Sequence, residues 1–245
     1  MAGNVLLLGG TAEARALAEV LHGSGVRVIS SLAGRVARPR LPVGEVRVGG
    51  FGGPEALARW LGEHAIDAVV DATHPFAERI SASAATACTA TGVPLLRLER
   101  PGWTAQDGDD WHWVDDLDAA AAAVPRLGSR VLLTSGRQGL AAFAGDRASW
   151  YLIRCVDPPE VALPPRHEVR LDRGPYTVEG ELGLFDEHRI DLLVTKDSGG
   201  SLTEAKLAAA RRRQVPVIVV RRPPRPGVPT VATVPAAAAW AQASG

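Results

Sequence analysis

Five short stretches of this chain gather the residues whose types and spacing suit ligand chemistry: GGTAEA (9–14), VISSLAGR (28–35), GGFGG (49–53), DATHPFA (71–77) and TKDSGG (195–200). In the first, Gly9 and Gly10 permit close backbone approach, and the N–H groups of Thr11, Ala12 and Glu13 open a helix-forming run. Exposed amides at a helix start favour an anion such as phosphate. Thr11 can cap the helix or donate to a phosphate oxygen. The spacing is not G-x-G-x-x-G, and a tight strand–helix turn that binds nothing accounts for this loop equally well.

The second stretch sharpens the reading. An NAD-preferring site places a carboxylate at the end of the second strand to hold the ribose hydroxyls. Here Ser30, Ser31 and Arg35 stand instead. Hydroxyls with a bidentate guanidinium suit a 2′-phosphate, which points to NADPH over NADH. Gly50, Phe51 and Gly52 let backbone approach something flat or charged; a surface loop is the plain alternative. Thr73, His74, Pro75 and Phe76 follow Asp71 at a strand tip, where Thr-His is placed to touch a nicotinamide or its ribose. Lys196, Asp197 and Ser198 end a strand in the second half. Ser201 and Glu204 have capping-box spacing, which explains that pair but not the lysine and aspartate. TSGRQG (Ser135, Gly136, Arg137) and RGPY (Arg173, Tyr176) add arginines able to hold carboxylates. No zinc-ligand cluster, P-loop or nucleophile elbow occurs, so no metal is expected.

These loops need a scaffold. Apolar runs at 5–8, 26–30, 45–48, 68–71 and 94–98 read as strands, with helices at 11–22, 54–64, 75–91 and 117–124. The second half repeats the scheme with strands at 131–134, 150–154, 192–195 and 217–220 and helices at 178–187, 202–213 and 235–243. Near-continuous apolar strands between helices indicate parallel sheets covered on both faces. VPLLRLERP (93–101) matches VPVIVVRRP (215–223) at an offset of 122, and Thr73 lands on Thr195 at the same offset. A fixed offset across separate features argues for duplication. The expectation is α/β, with two similar doubly wound domains at 1–126 and 127–245.

Composition bounds the rest. Lys plus Arg and Asp plus Glu stand at 27 each, so no global field points to nucleic acid. Only Lys196 and Lys206 are lysines, which singles out both. Two cysteines outside any C-x-x-C pair suit a reducing cytoplasm. No apolar run has membrane-spanning length. Oligomeric state is open, a monomer is compatible, and nothing demands a partner protein.

Taken in order, LLLGGTAEARALA, SLAGRV, GGFGG, DATHPFA, RPGW, RGPY and TKDSGG closely resemble the precorrin-6A reductase family of cobalamin biosynthesis. The family often has phenylalanine where RGPY has tyrosine. The resemblance implies two Rossmann-like domains with mostly parallel sheets and a ligand cleft between them. It implies NADPH-dependent reduction of one double bond of a carboxylate-rich tetrapyrrole, precorrin-6A, to precorrin-6B. NADPH is then expected on the first domain: phosphates over Gly9, Gly10, Thr11, Ala12 and Glu13, 2′-phosphate near Ser31 and Arg35, and the remainder near Gly50, Phe51, Gly52 and residues 73–76. The macrocycle is expected at Ser135, Gly136, Arg137, Arg173, Tyr176, Lys196 and Ser198. Lys196, Asp197, His74 or water can deliver the proton. The motifs do not separate metal-free from cobalt-containing substrate, and a non-catalytic NADP- or tetrapyrrole-binding protein needs the same loops. A methyltransferase fits Ser30, Ser31 and Arg35 less well.

Overall fold

Strand β1 (Asn4–Leu8) reads NVLLL, and the alternation of its side chains organises the unit built around it. Val5 and Leu7 join one apolar cluster with α1 (Ala12–Gly23) and α7 (Val234–Ala243). Leu6 and Leu8 join another with α2 (Pro54–Glu63) and α3 (Glu78–Thr91) on the opposite face. Successive strand residues point to opposite faces, so a continuous apolar strand is stable only between two helical layers. Each fully buried leucine there stabilises the fold by roughly 1.5–3 kcal/mol relative to exposure. A computed structural model describes residues 3–34 and 40–244.

The first sheet is wholly parallel in the order β12 (Thr230–Val231), β5 (Leu95–Leu98), β4 (Ala68–Asp71), β1, β2 (Arg27–Leu32), β3 (Glu45–Val48). The second repeats it: β6 (Trp111–Val114), β11 (Val217–Val220), β10 (Leu192–Lys196), β7 (Arg130–Leu133), β8 (Trp150–Cys155), β9 (His167–Leu171), again all parallel. Helices α5 (Val178–His188) and α6 (Ala205–Arg213) cover one face of it, while α4 (Leu117–Leu127) packs on β10 and β11.

The expected division at 126/127 is replaced by a crossed one. One unit comprises Met1–Pro101 with Pro224–Gly245, and the other comprises Gly102–Pro223. Strand β6 follows β5 in the chain yet pairs with β11, and β12 follows β11 yet pairs with β5. The duplicated halves present equivalent open edges at β5 and β11, and main-chain ladder bonds do not distinguish them. Each terminal strand–helix pair therefore completes the sheet of the other half.

Ladder register also corrects one equivalence. Val69 lies opposite Leu95 and Leu193 opposite Val217, so β5 and β11 keep the offset of 122 while β4 and β10 differ by 124. Thr195 therefore occupies the place of Asp71, and Asp197 that of Thr73. Local differences are smaller. Helix α3 starts at Glu78, α4 runs through Pro125 to Leu127, and β9 was not anticipated. Ser201 lies in a short 3-10 turn, Ser201–Thr203, before α6. Its carbonyl, not its side chain, meets the Glu204 N–H, so the expected capping box is not the bond made.

Candidate functional site

Because each sheet is parallel, every loop singled out by type lies beyond a strand's carboxyl end, where open α/β sheets bind ligands. In the first unit Gly9, Gly10, Thr11, Ala12 and Glu13 follow β1. The Gly9 N–H donates to Ser31 O at 3.0 Å. Gly10 has φ +116°, a conformation that side-chain-bearing residues rarely adopt, and a Cβ there would meet nothing within 4 Å, so the backbone is open to an incoming group. Thr11 caps α1: its Oγ1 accepts the Ala14 N–H at 3.1 Å and donates to Ala72 O at 2.8 Å. Its proton thus ties the β1 and β4 loops together, and the N–H groups of the first turn remain the anion-facing donors. Glu13 pairs with Arg100 at 2.7 Å. Thr11, Glu13, Thr73, Pro75, Glu99 and Arg100 border a small crevice.

Ser31, the penultimate residue of β2, lies directly opposite Arg47 of β3. Arg47 donates to Ser31 Oγ at 2.8 Å and to the carbonyls of Gly49 and Gly50 at 3.0 and 3.1 Å. Its guanidinium lies 3.7 Å from the centre of the Phe51 ring, which packs edge-on against Trp60. The GGFGG loop, with Gly50, Phe51 and Gly52, thus wraps a cation. Ser30 is buried, and among the described residues its hydroxyl has no hydrogen-bond partner. Arg35 lies outside the described residues.

At the end of β4, Asp71 is 1% exposed. Its Oδ1 accepts the Thr73 N–H and hydroxyl, and its Oδ2 accepts Ser81 Oγ at 2.6 Å. Arg97 sits 3.9 Å away, where burial and then repulsion from Arg225 lower its pKa. Arg225 reaches Glu99, Ser81 and His74 O at 2.8, 2.8 and 3.0 Å. His74 is exposed, Pro75 buried and Phe76 half-buried. His74 Nδ1 accepts the Phe76 N–H, leaving Nε2 to carry the ring proton in the neutral form.

In the second unit, Lys196 ends β10 and Asp197 and Ser198 follow it. Asp197 is buried: Oδ1 accepts the Trp103 N–H at 3.0 Å, and Oδ2 lies 3.2 Å from Arg222 Nε. The Ser198 N–H donates to Lys196 O at 2.7 Å. Ser135 and Gly136 follow β7 with Arg137, which lies 3.7 Å from Asp157. Arg173 and Tyr176 follow β9. The Tyr176 ring stacks on Arg154 at 3.9 Å, and burial raises its phenol pKa. Arg154 forms a buried pair with Glu181 at 2.6 Å, and among the described residues Glu181 Oε2 has no hydrogen-bond partner. Lys206 donates to Thr203 O at 2.6 Å over the Trp103 ring; burial, aided by Arg154, brings its ammonium down to about 7. Trp113, Asp197, Arg221 and Arg222 border a shallow depression.

Each unit thus gathers its own expected residues along one sheet edge. Reading by type missed Arg47, Arg97, Arg225, Arg154, Glu181 and Trp103. The alternation of EVRV could have placed Arg47 on the Ser31 side once strand order was known; nothing local marks Arg225 within RRPPRPGVP. Among the described residues no His, Cys, Asp and Glu cluster is arranged to hold a metal, and no helix is long and apolar enough to cross a membrane.

Comparison with known proteins agrees along the whole chain. Residues 4–242 match the family model described as Precorrin-6x reductase CbiJ/CobK. The precorrin-6A reductase of Rhodococcus erythropolis is 54% identical over 238 residues, covering 96% of each chain. The cobalt-precorrin-6A reductase of Priestia megaterium is 30% identical over 233 residues, covering 89% of this chain and 90% of that one. A solved structure titled CobK precorrin-6A reductase superposes with a TM-score of 0.93 at 43% identity, covering 99% of this chain and 97% of that one. The paired parallel sheets and the loops along their carboxyl edges are those of the precorrin-6x reductases, the family to which this chain belongs.

Proposed function

We propose that this protein reduces precorrin-6A to precorrin-6B with NADPH, a step of cobalamin biosynthesis. The observation that carries the reading is the near-full-length likeness, at 54% identity, to a precorrin-6A reductase. The lower identity to the cobalt-precorrin enzyme, 30%, favours the metal-free substrate. A cytoplasmic setting suits such a biosynthetic step.

The first unit is assigned to NADPH. Gly9, Gly10 and the first-turn amides Ala12 and Glu13 suit the pyrophosphate, behind a helix start already capped by Thr11. Ser31 and Arg47, with Arg35, suit the 2′-phosphate, because a guanidinium offers paired donors to phosphate oxygens. Gly49, Gly50 and Phe51 hold Arg47 in place, Gly52 completes that loop, and residues 73–76 face the nicotinamide. When bound, that ring would supply the hydride.

The second unit is assigned to the macrocycle. Arg137, Arg173 and Lys196 pair with its acetate and propionate groups, aided by Ser135, Gly136, Tyr176 and Ser198. A locally positive edge serves a polycarboxylate even at zero net charge. Trp113 beside Arg221 adds a flat apolar face next to a cation. Completing the reduction requires a proton at the neighbouring carbon. Asp197 is engaged by Trp103 and Arg222, which suits it to holding the loop, and leaves His74 and Lys196 as the side chains to deliver the proton.

The test mixes protein, NADPH and precorrin-6A and follows the absorbance of the reduced nicotinamide, with the cobalt complex in a parallel arm. Binding without NADPH consumption overturns the reductase reading; faster turnover of the cobalt complex overturns the substrate. Arg35→Glu and Arg47→Gln should raise KM for NADPH far more than for NADH. Arg173→Ala and Lys196→Ala should weaken macrocycle binding while sparing NADPH.

A further inference from the structure

Arg225 sits in a proline-rich segment that leaves β11 and enters the first unit, more than a hundred residues from everything it touches there. Its side chain is 6% exposed. One terminal nitrogen meets Glu99 at 2.8 Å; the other donates to Ser81 Oγ at 2.8 Å and His74 O at 3.0 Å, and lies 3.4 Å from Thr73 Oγ1. The hydroxyls of Thr73 and Ser81 spend their own protons on Asp71, so Arg225 takes up acceptor positions that Asp71 cannot fill. Asp71 and Arg225 thereby grip residues 73–74 from two sides. A planar fork with several fixed donors does this; an ammonium does not.

The second unit has a counterpart. At the offset of 122 that relates β5 to β11, Arg225 corresponds to Trp103. Trp103 lies on the other crossed segment, and it too bonds the loop after β10, the strand equivalent to β4: its indole N–H donates to Gly200 O at 3.0 Å and its backbone N–H to Asp197. Two chemically unrelated residues at equivalent places perform the same task, which marks that task as a property of the architecture.

We infer that Arg225 is a positioning residue for reduction: it fixes the backbone of residues 73–74, and through it the direction in which His74 and Phe76 are presented. This rests on the assignment of residues 73–76 to the nicotinamide. The Arg225 side chain is buried and its terminal nitrogens are taken up by protein groups, which assigns its effect to the chemical step and not to cofactor affinity. A misplacement of about an ångström can cost on the order of a hundredfold in rate.

The experiment compares the wild-type protein with Arg225→Gln and Arg225→Lys. Single-turnover oxidation of bound NADPH by precorrin-6A gives a rate constant independent of the fraction of protein that is folded. Both variants should fall, Arg225→Gln by about a hundredfold, with Kd for NADPH close to wild type. Millimolar guanidinium chloride should restore rate to Arg225→Gln, and sodium chloride at equal ionic strength should not. A wild-type rate constant in either variant, or a loss that appears only in NADPH affinity, overturns the inference. Amide hydrogen exchange of the apo-protein separates this from failure of the reductase reading. Arg225→Gln should speed exchange at Thr73, Phe76 and Ala77 while β1 stays protected, whatever the substrate proves to be. Unchanged exchange at those amides overturns the inference alone; absence of NADPH oxidation by wild type overturns the reductase reading alone.

Discussion

The loops after β4 and β10 occupy equivalent places in two duplicated sheets and are held by opposite means. In the first unit the carboxylate lies within the strand, at Asp71, and collects Thr73 and Ser81, while a guanidinium from the crossed segment closes the far side. In the second unit a threonine takes that strand position, and the carboxylate sits two residues on, at Asp197, bonded to a main-chain N–H and Arg222. The shared architecture demands that each loop be clamped by the incoming segment. It leaves open which polar groups do so, because donors and acceptors can trade places across a hydrogen bond.

The largest test of that contrast is Asp71→Ala. It strips three hydrogen bonds and leaves the buried Arg97 short of its carboxylate, for a loss of about 3–5 kcal/mol. Thr195→Ala, in the same register, should cost about 1 kcal/mol. Urea denaturation of both variants reads the difference, and equal losses break the comparison.

The two units should also respond oppositely to alkali. Lys206 is held near 7 when folded against an ordinary 10.5, so between those values the unfolded chain binds more protons and the second unit gains stability as pH rises, by at most about 1.4 kcal/mol per pH unit. Burial pushes the Cys88 thiol from 9.0 up to about 11. There the folded state keeps the proton, so the first unit loses stability as pH rises through that window. Thermal melts from pH 7 to 10 should show the gain in wild type and its absence in Lys206→Met. A variant with the wild-type slope removes Lys206 as the cause.

Gly102→Ala probes the second clamp directly, because a Cβ would lie 2.5 Å from Asp197 Oδ2. Asp197 is fixed by Arg222 and Trp103, so the overlap should cost about 1–3 kcal/mol by denaturation. The smallest contrast is between two caps. Thr11→Ala loses an N-cap and the tie to Ala72, about 2 kcal/mol, whereas Thr177→Ala loses a cap on α5, about 1 kcal/mol. Equal melting shifts would mean the Ala72 tie contributes nothing.

Much of this was legible beforehand. The apolar runs around Val5–Leu8 and 192–195 mark buried parallel strands because alternation places every residue against one helical layer or the other. The glycine and Thr-His loops were found because they sit at strand ends, and a parallel sheet brings all such ends to one edge. Arg47 escaped notice because its meaning depends on standing opposite Ser31, a fact of register. The letter match of Thr73 with Thr195 misled by two residues for the same reason. The contiguous division at 126/127 failed because β6 and β12 pair with the edge that the other half offers.

By itself, then, the sequence determined the local periodicity, the duplicated order of elements and the loops able to meet phosphate and carboxylate. These depend on groups a few residues apart. Only the tertiary structure decided the exchange of terminal strands and the delivery of Arg225 to Glu99, 126 residues away. Main-chain ladders carry no memory of chain order, and a buried cation takes its partners from whatever the closed fold brings within reach.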